Sequence, residues 1–473
     1  MNIKFYSYLN KISNHGILLP VFILFSGVIL LPDNMNTIIF VIGELLLILF
    51  FYRTFSNNSR RWSNLSSGQF ISRVFILSIV VRFLSILVVL ILQKYAFKGY
   101  EVFIHPDSWN YNIGAEQYAK ELSIGISNAF ASLNDLAFDD KGYPIVLGTI
   151  YSIFGAIPFV GKMLNMILGS FSVILIYKLT RIIYNENIAR TAAIITAIFP
   201  YFLFYNAVIL KEIIMIYFLL LAVYYFYRCI YVKGSFTNYL IMALAIISLM
   251  FFRLVLGALI IAVFASYLFL FLGSKGRLSI KILTTSVFLI SAVFLLTMMI
   301  PEIVDKTKSY YEQRTSQIEG EVSDLGKNEQ IQKSYEKAEL APMMIAAALF
   351  APYPSFAKVA GKEFNNINFA GALIKLNLMF FYYYGLYWTF MNLRQRGYVI
   401  YAFAIGYISV IAIAGSILQH RFQLPANPFQ IMIASAGIHN MTPRFFKLWK
   451  PYLVFCFLIT LAYNLFKLNI RGM

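Results

Sequence analysis

Cysteine is nearly absent from this chain. Two occur in 473 residues, Cys229 and Cys456, and both fall inside apolar runs. That excludes a disulfide framework and a thiolate metal centre. Charge is scarce as well: Asp, Glu, Lys and Arg make up 13% of the residues, against about a quarter in a soluble globular protein. Acids are scarcer than bases, 21 against 39, and histidine occurs four times. There is no internal repeat and no low-complexity tract. The first apolar run, 17–31, leads into Pro32-Asp33-Asn34 and not into a small-residue cleavage site, so no cleavable signal peptide is expected.

Apolar residues fill the space that charge leaves. They make up 60% of the chain, and the mean hydropathy is +0.72. Runs of about 20 apolar residues, the length that crosses a hydrocarbon core, recur throughout. The expectation is an all-α polytopic membrane protein with about 13 transmembrane helices. They are placed at 17–31, 37–52, 71–93, 160–178, 189–207, 209–230, 237–252, 254–272, 280–300, 369–391, 398–418, 424–441 and 449–467. The run 143–158 is apolar but short, and Gly142-Tyr143-Pro144 opens it, so it reads as a half-inserted or interfacial helix. Five regions follow: N-terminal helices 1–93, an outer loop 94–158, core helices 159–300, a second outer loop or flap 301–368, and C-terminal helices 369–473. An interfacial helix ended by prolines is expected at 343–350.

The charges orient this bundle. Lys4, Lys11, Arg53, Arg60, Arg61, Lys178, Arg181, Arg190, Arg228, Lys233, Arg394, Arg396, Arg444 and Lys447 share one set of short loops. Basic short loops stay in the cytoplasm. The N-terminus is therefore expected there, and loops 94–142 and 301–368 on the extracytoplasmic side. Acids show the opposite bias, with Glu101, Asp107, Glu116, Glu121, Asp135, Asp139 and Asp140 all in the first outer loop. The net charge of +18 is thus a basic fringe near anionic lipid headgroups, and no nucleic-acid partner is expected.

Against this background the polar island from His105 to Gly155 stands out. Asp107, Tyr111, Ala115, Tyr118 and Ala119 fall on one helical stripe starting near Pro106. Asp107 then occupies a first helical turn, where the helix dipole favours a carboxylate; as a functional group it is the candidate catalytic base. Lys141 follows Asp139-Asp140 and sits where a phosphate headgroup lies, although a snorkelling lysine looks the same. His105 beside Asp107 offers a thin basis for a divalent cation, and an ordinary surface histidine is the preferred reading. Further charges fall at the outer ends of spans: Lys211-Glu212, Arg253 and His420-Arg421, with Arg82 in mid-span. Charge at membrane depth is costly, so these residues pair with one another or serve a ligand. Lys211, Arg253 and Arg421 could together hold a lipid phosphate; mutual pairing, such as Lys211 or Arg253 with Glu212, is the alternative.

The order Asp107…Tyr111…Ala115, Gly142-Tyr143-Pro144-Ile145-Val146-Leu147, Phe154-Gly155 and Asn165 resembles the GT-C superfamily of polytopic glycosyltransferases. The protein-mannosyltransferase and aminoarabinose-transferase types are the most similar. The resemblance continues through Tyr177-Lys178-Leu179-Thr180-Arg181, Phe199-Pro200 and Lys211-Glu212, and returns in Arg421-Phe422-Gln423-Leu424-Pro425-Ala426-Asn427-Pro428. It implies juxtamembrane helices in the first outer loop and a polyprenyl-phosphate-linked sugar donor. The acceptor would be a glycan, lipid or protein, and the setting a bacterial cytoplasmic membrane with the active site facing outward. By resemblance, Asp107 is the base. The resemblance also places Lys141 and Arg421 near the donor phosphate and Glu212 at the outer end of a core helix; with Tyr143, Lys211, Arg253 and His420 they make up the expected substrate and lipid-phosphate site. No cofactor is required by this chemistry, and a divalent cation at His105 and Asp107 stays open. The chain departs from the pattern at Ser108, where many relatives carry a second acid, and at Gly142-Tyr143-Pro144, where many have Pro-Pro. The alternatives are a polymerase of lipid-linked oligosaccharide repeats and, further off, a lipid-saccharide flippase or transporter.

Overall fold

A computed structural model describes residues 11–12, 15–30, 35–96, 106–136, 138–232, 234–272, 369–413 and 420–470. The span expected at 280–300, the loop 301–368 with its 343–350 helix, and His105 lie outside the described residues. The described residues are helical, with no strand among them. In order they form α1 (Leu18–Leu30), α2 (Met35–Arg61), α3 (Ser67–Ala96), α4 (Pro106–Leu122), α5 (Ile126–Ala131), α6 (Phe138–Phe154) and α7 (Pro158–Ile183). There follow α8 (Glu186–Ile198), α9 (Pro200–Asn206), α10 (Glu212–Tyr227), α11 (Phe236–Phe252), α12 (Leu254–Leu272) and α13 (Phe369–Asn392). The C-terminal part comprises α14 (Arg394–Ile413), α15 (His420–Gln423), α16 (Asn427–Asn440), α17 (Pro443–Phe446) and α18 (Trp449–Ile470).

Among the described residues, five helices are long and apolar enough to cross a membrane, or six if the bent pair α8–α9 counts as one. That is a smaller number than the thirteen expected. α11 has 17 residues and α16 has 14, short for a crossing that takes about 20. The run read as one span at 189–207 is bent by 49°. Phe199 is the cause: it precedes Pro200, whose ring excludes the helical conformation from the residue before it, and Phe199 sits in the extended region instead.

Two buried arginines find oxygen partners inside the bundle. Arg82, in the middle of α3, is fully buried. Its Nη1 donates to the Ala197 carbonyl at 3.1 Å and to the Ser78 hydroxyl, so the costly mid-span charge is solvated by protein. Where α2 turns into α3, Arg190 donates to the carbonyls of Trp62, Ser63 and Leu65 at 2.7–2.9 Å. This closes one end of the bundle, the far end.

At the other end α4 lies on α6, and α6 on α11. The expected stripe is on the inner face of α4: Tyr111, Ala115 and Tyr118 are all buried. Close approach needs glycine here. A Cβ on Gly148 of α6 would lie 2.7 Å from the Ala115 carbonyl oxygen and 2.8 Å from the Tyr118 ring. Gly142 meets the Phe251 carbonyl of α11 at 2.6 Å in the same sense. Gly148→Val should therefore lever α4 off α6, cost about 1–3 kcal/mol, and lower activity with it. Thermal unfolding of the purified variant checks this; an unchanged melt would mean that α4 docks some other way.

Candidate active site

The near end gathers side chains from chain breaks, where helices stop and start. Pro106 opens α4 and places Asp107 in the first turn, a position that suits both proline and a carboxylate. The first turn of α6 contributes Asp140. Between α9 and α10 the chain leaves the helix for a few residues and presents Lys211 and Glu212. This short stretch is tied down by Asn165 of α7, whose Nδ2 donates to the carbonyls of Val208 at 2.9 Å and Leu210 at 3.3 Å. Tyr143 in turn donates to Asn165 Oδ1 at 3.4 Å. Arg253 occupies the break between α11 and α12, and α15 carries His420 and Arg421.

Arg421 is the hub. Its guanidinium bonds Asp107 through Nη1 and Glu212 through Nε. The three residues differ in exposure. The Glu212 side chain is 0% exposed, Arg421 9% and Asp107 41%. Glu212 is thus a fixed internal counter-ion, while Asp107 faces open space. Lys211 repeats the motif: buried itself, it pairs with Asp140, whose side chain is 40% exposed. Tyr111 lies between the two pairs. Its hydroxyl donates to Asp140 at 3.1 Å, its ring lies 5.8 Å from the Lys211 ammonium, and it packs edge-on against Tyr143. Burial, reinforced by the Asp140 carboxylate, pushes the Tyr111 phenol far up, so it serves as a donor and not as a base. Arg253 shares the Phe422 ring with Arg421, at 4.8 and 5.7 Å.

The structure therefore brings together Asp107, Lys211, Glu212, Arg253 and Arg421, five of the residues singled out from the sequence. Tyr143 acts through Asn165. His420 has other neighbours: its Nδ1 shares a hydrogen bond with the Tyr201 hydroxyl, and burial, with Lys375 nearby, holds it down to about 3, hence neutral. Lys141 is half-buried and has no ion pair among the described residues. Sequence reasoning did not single out Asp140 as the partner of Lys211, nor the buried Lys162 of α7 and Lys375 of α13. Apolar surroundings conceal a single lysine inside a long span.

Among the described residues no three His, Cys, Asp or Glu side chains come together as a metal ion needs. Asp107 and Asp140 are each engaged by a cation. His105, the other candidate ligand, lies outside the described residues, and no step below uses a metal.

The arrangement has one half-exposed carboxylate on each of two buried cations, at the mouth of an apolar bundle. It can accept a proton at Asp107 and hold an oxyanion with Lys211, Arg253 and Arg421. No curated protein matches the chain. Residues 142–304 match the model of the dolichyl-phosphate-mannose-protein mannosyltransferase family. The matched stretch supplies Tyr143, Asn165, Lys211, Glu212 and Arg253, and it supports a membrane glycosyltransferase of the GT-C type.

Proposed function

We propose that the protein transfers a sugar from a polyprenyl-phosphate carrier to a hydroxyl of a glycan, lipid or protein acceptor. The observation that carries this reading is the Arg421 hub, which ties a half-exposed carboxylate and a buried one to a single cation. A donor phosphate entering the cluster takes over hydrogen bonds that Asp107 and Asp140 hold at rest. Asp107, so released, accepts the acceptor proton. The hydroxyl oxygen attacks the anomeric carbon, and the bond from that carbon to the phosphate oxygen breaks. The phosphate departs as an anion held by Arg421, Lys211 and Arg253, so no acid is needed for departure. One displacement inverts the anomeric centre.

The basic far-end loops, Arg60, Arg61, Arg181, Arg228, Arg394 and Arg396 among them, support a cytoplasmic far end and an extracytoplasmic site in a bacterial cytoplasmic membrane. On this reading α4 to α6 are the juxtamembrane part of a GT-C-type bundle.

The test is a purified, reconstituted sample given a polyprenyl-phosphate monosaccharide and a hydroxyl acceptor. Release of free polyprenyl phosphate, with an inverted product, is the expected result. Turnover of lipid-linked oligosaccharide repeats only would overturn it in favour of a polymerase. Movement of the donor across the bilayer without cleavage would mean a flippase.

A further inference from the structure

The far end of the bundle carries a second cationic arrangement, built quite differently from the first. α10 runs into a five-residue π-helical turn, Arg228–Val232. Such turns widen the helix locally and recur at functional sites. This one lays Tyr231 over Tyr227, with ring centroids 5.7 Å apart and planes 20° from parallel, and puts its hydroxyl 2.7 Å from that of Tyr267. The exposed Arg396 then covers Tyr231, its guanidinium 5.4 Å from the ring centroid. The backbone beneath is fixed: Tyr227 donates to the Arg396 carbonyl, and Tyr401 to the Arg394 carbonyl at 3.3 Å. Arg394 lies over Phe390 at 5.8 Å, and Arg228 over Tyr225 at 5.6 Å.

Three guanidiniums are thus held on ring faces. Among the described residues none of the three has a carboxylate within ion-pair distance, whereas Glu186, at the same end, is taken by Arg181 and Arg190. A ring satisfies the flat face of a guanidinium and leaves its edge donors available to an oxyanion. Beside them Val232, Phe236 and Tyr239 are exposed at 61%, 82% and 51%.

We infer that this end binds an anionic phospholipid, its phosphate taken by Arg228 and Arg396 with Arg394 adding to the field, its acyl chains lying along Val232 and Phe236. A free phosphate would lack the apolar half of that surface and would compete poorly with water at exposed arginines. The site is independent of sugar transfer, since α10, 16 residues long, sets it roughly 24 Å from Glu212 at 1.5 Å per residue.

Binding of phosphatidylglycerol to the full-length protein in detergent tests this, read by thermal shift and by lipid adducts in native mass spectrometry. Phosphatidylcholine and inorganic phosphate serve as the other arms. The R228Q/R396Q double variant should bind phosphatidylglycerol about 25-fold more weakly, at about fivefold per arginine beside an anionic surface. Tyr231→Leu, which keeps the charge, should weaken binding as well. R444Q/K450Q makes the same change in net charge at exposed residues of the same end and should bind like the parent. Equal weakening in both double variants, or an equal shift with phosphatidylcholine or inorganic phosphate, would overturn the site.

Discussion

Asp107→Asn should remove sugar transfer while the protein keeps its fold. The expected fall in rate is about a hundredfold to ten-thousandfold, the range a positioned general base contributes. Stability should change by less than about 1 kcal/mol, because the Asp107 end of its ion pair is half-exposed to solvent. Arg421 also keeps Glu212 in the variant. Donor binding gives the second readout. With the carboxylate neutralised, Arg421 is easier for a phosphate to reach, so polyprenyl phosphate should bind at least as tightly as to the parent. Loss of rate with retained or tighter donor binding assigns Asp107 to proton transfer. A fully active variant would falsify the assignment, and lost donor binding would make the residue a ligand for the phosphate instead.

Arg421→Met should act on both stability and catalysis. It leaves Glu212 in the interior with its strongest partner gone, a loss worth about 3–5 kcal/mol when one member of a buried pair is removed. It also takes a cation from the proposed phosphate site. The two effects can be separated. The E212Q/R421M double variant removes the buried charge together with its counter-ion, so much of the stability should return while transfer stays absent. Arg421→Lys should fall between, since a lysine has no fork to reach Asp107 and Glu212 together. Thermal melts in detergent beside rate measurements check all three. A double variant as unstable as R421M would mean that the guanidinium is held by packing more than by charge.

Part of this site was legible in the sequence. The spacing of Asp107, Tyr111, Ala115 and Tyr118 specified α4 and its buried face, because a period near 3.6 needs nothing from the rest of the chain. The short apolar run after Gly142-Tyr143-Pro144 foretold a helix unlike its neighbours, and α6 spans only 17 residues. Lys211, Arg253 and Arg421 could be placed at helix ends, since charge at membrane depth is costly. Their partners could not. Glu212 was a candidate for Lys211 or Arg253, and the structure gives it to Arg421. Which cation takes which carboxylate depends on how helices distant in sequence come to rest. Asn165 pinning the 208–211 stretch is of the same kind. The bend at Phe199 was written in Pro200, yet a hydropathy window averages across it and reads one straight span.

The Arg421 hub also has a consequence for how the protein is made. Glu212 and Arg421 are 209 residues apart in the chain, and Asp107 and Arg421 are 314. A nascent chain places α4 and α10 long before Arg421 leaves the ribosome. Until then Glu212 sits in an apolar setting with its main counter-ion still unsynthesised. The candidate site is therefore among the last parts to close, and its closure reports that the C-terminal helices have arrived. A chain cut short before residue 421 is left with a buried carboxylate that lacks its main counter-ion.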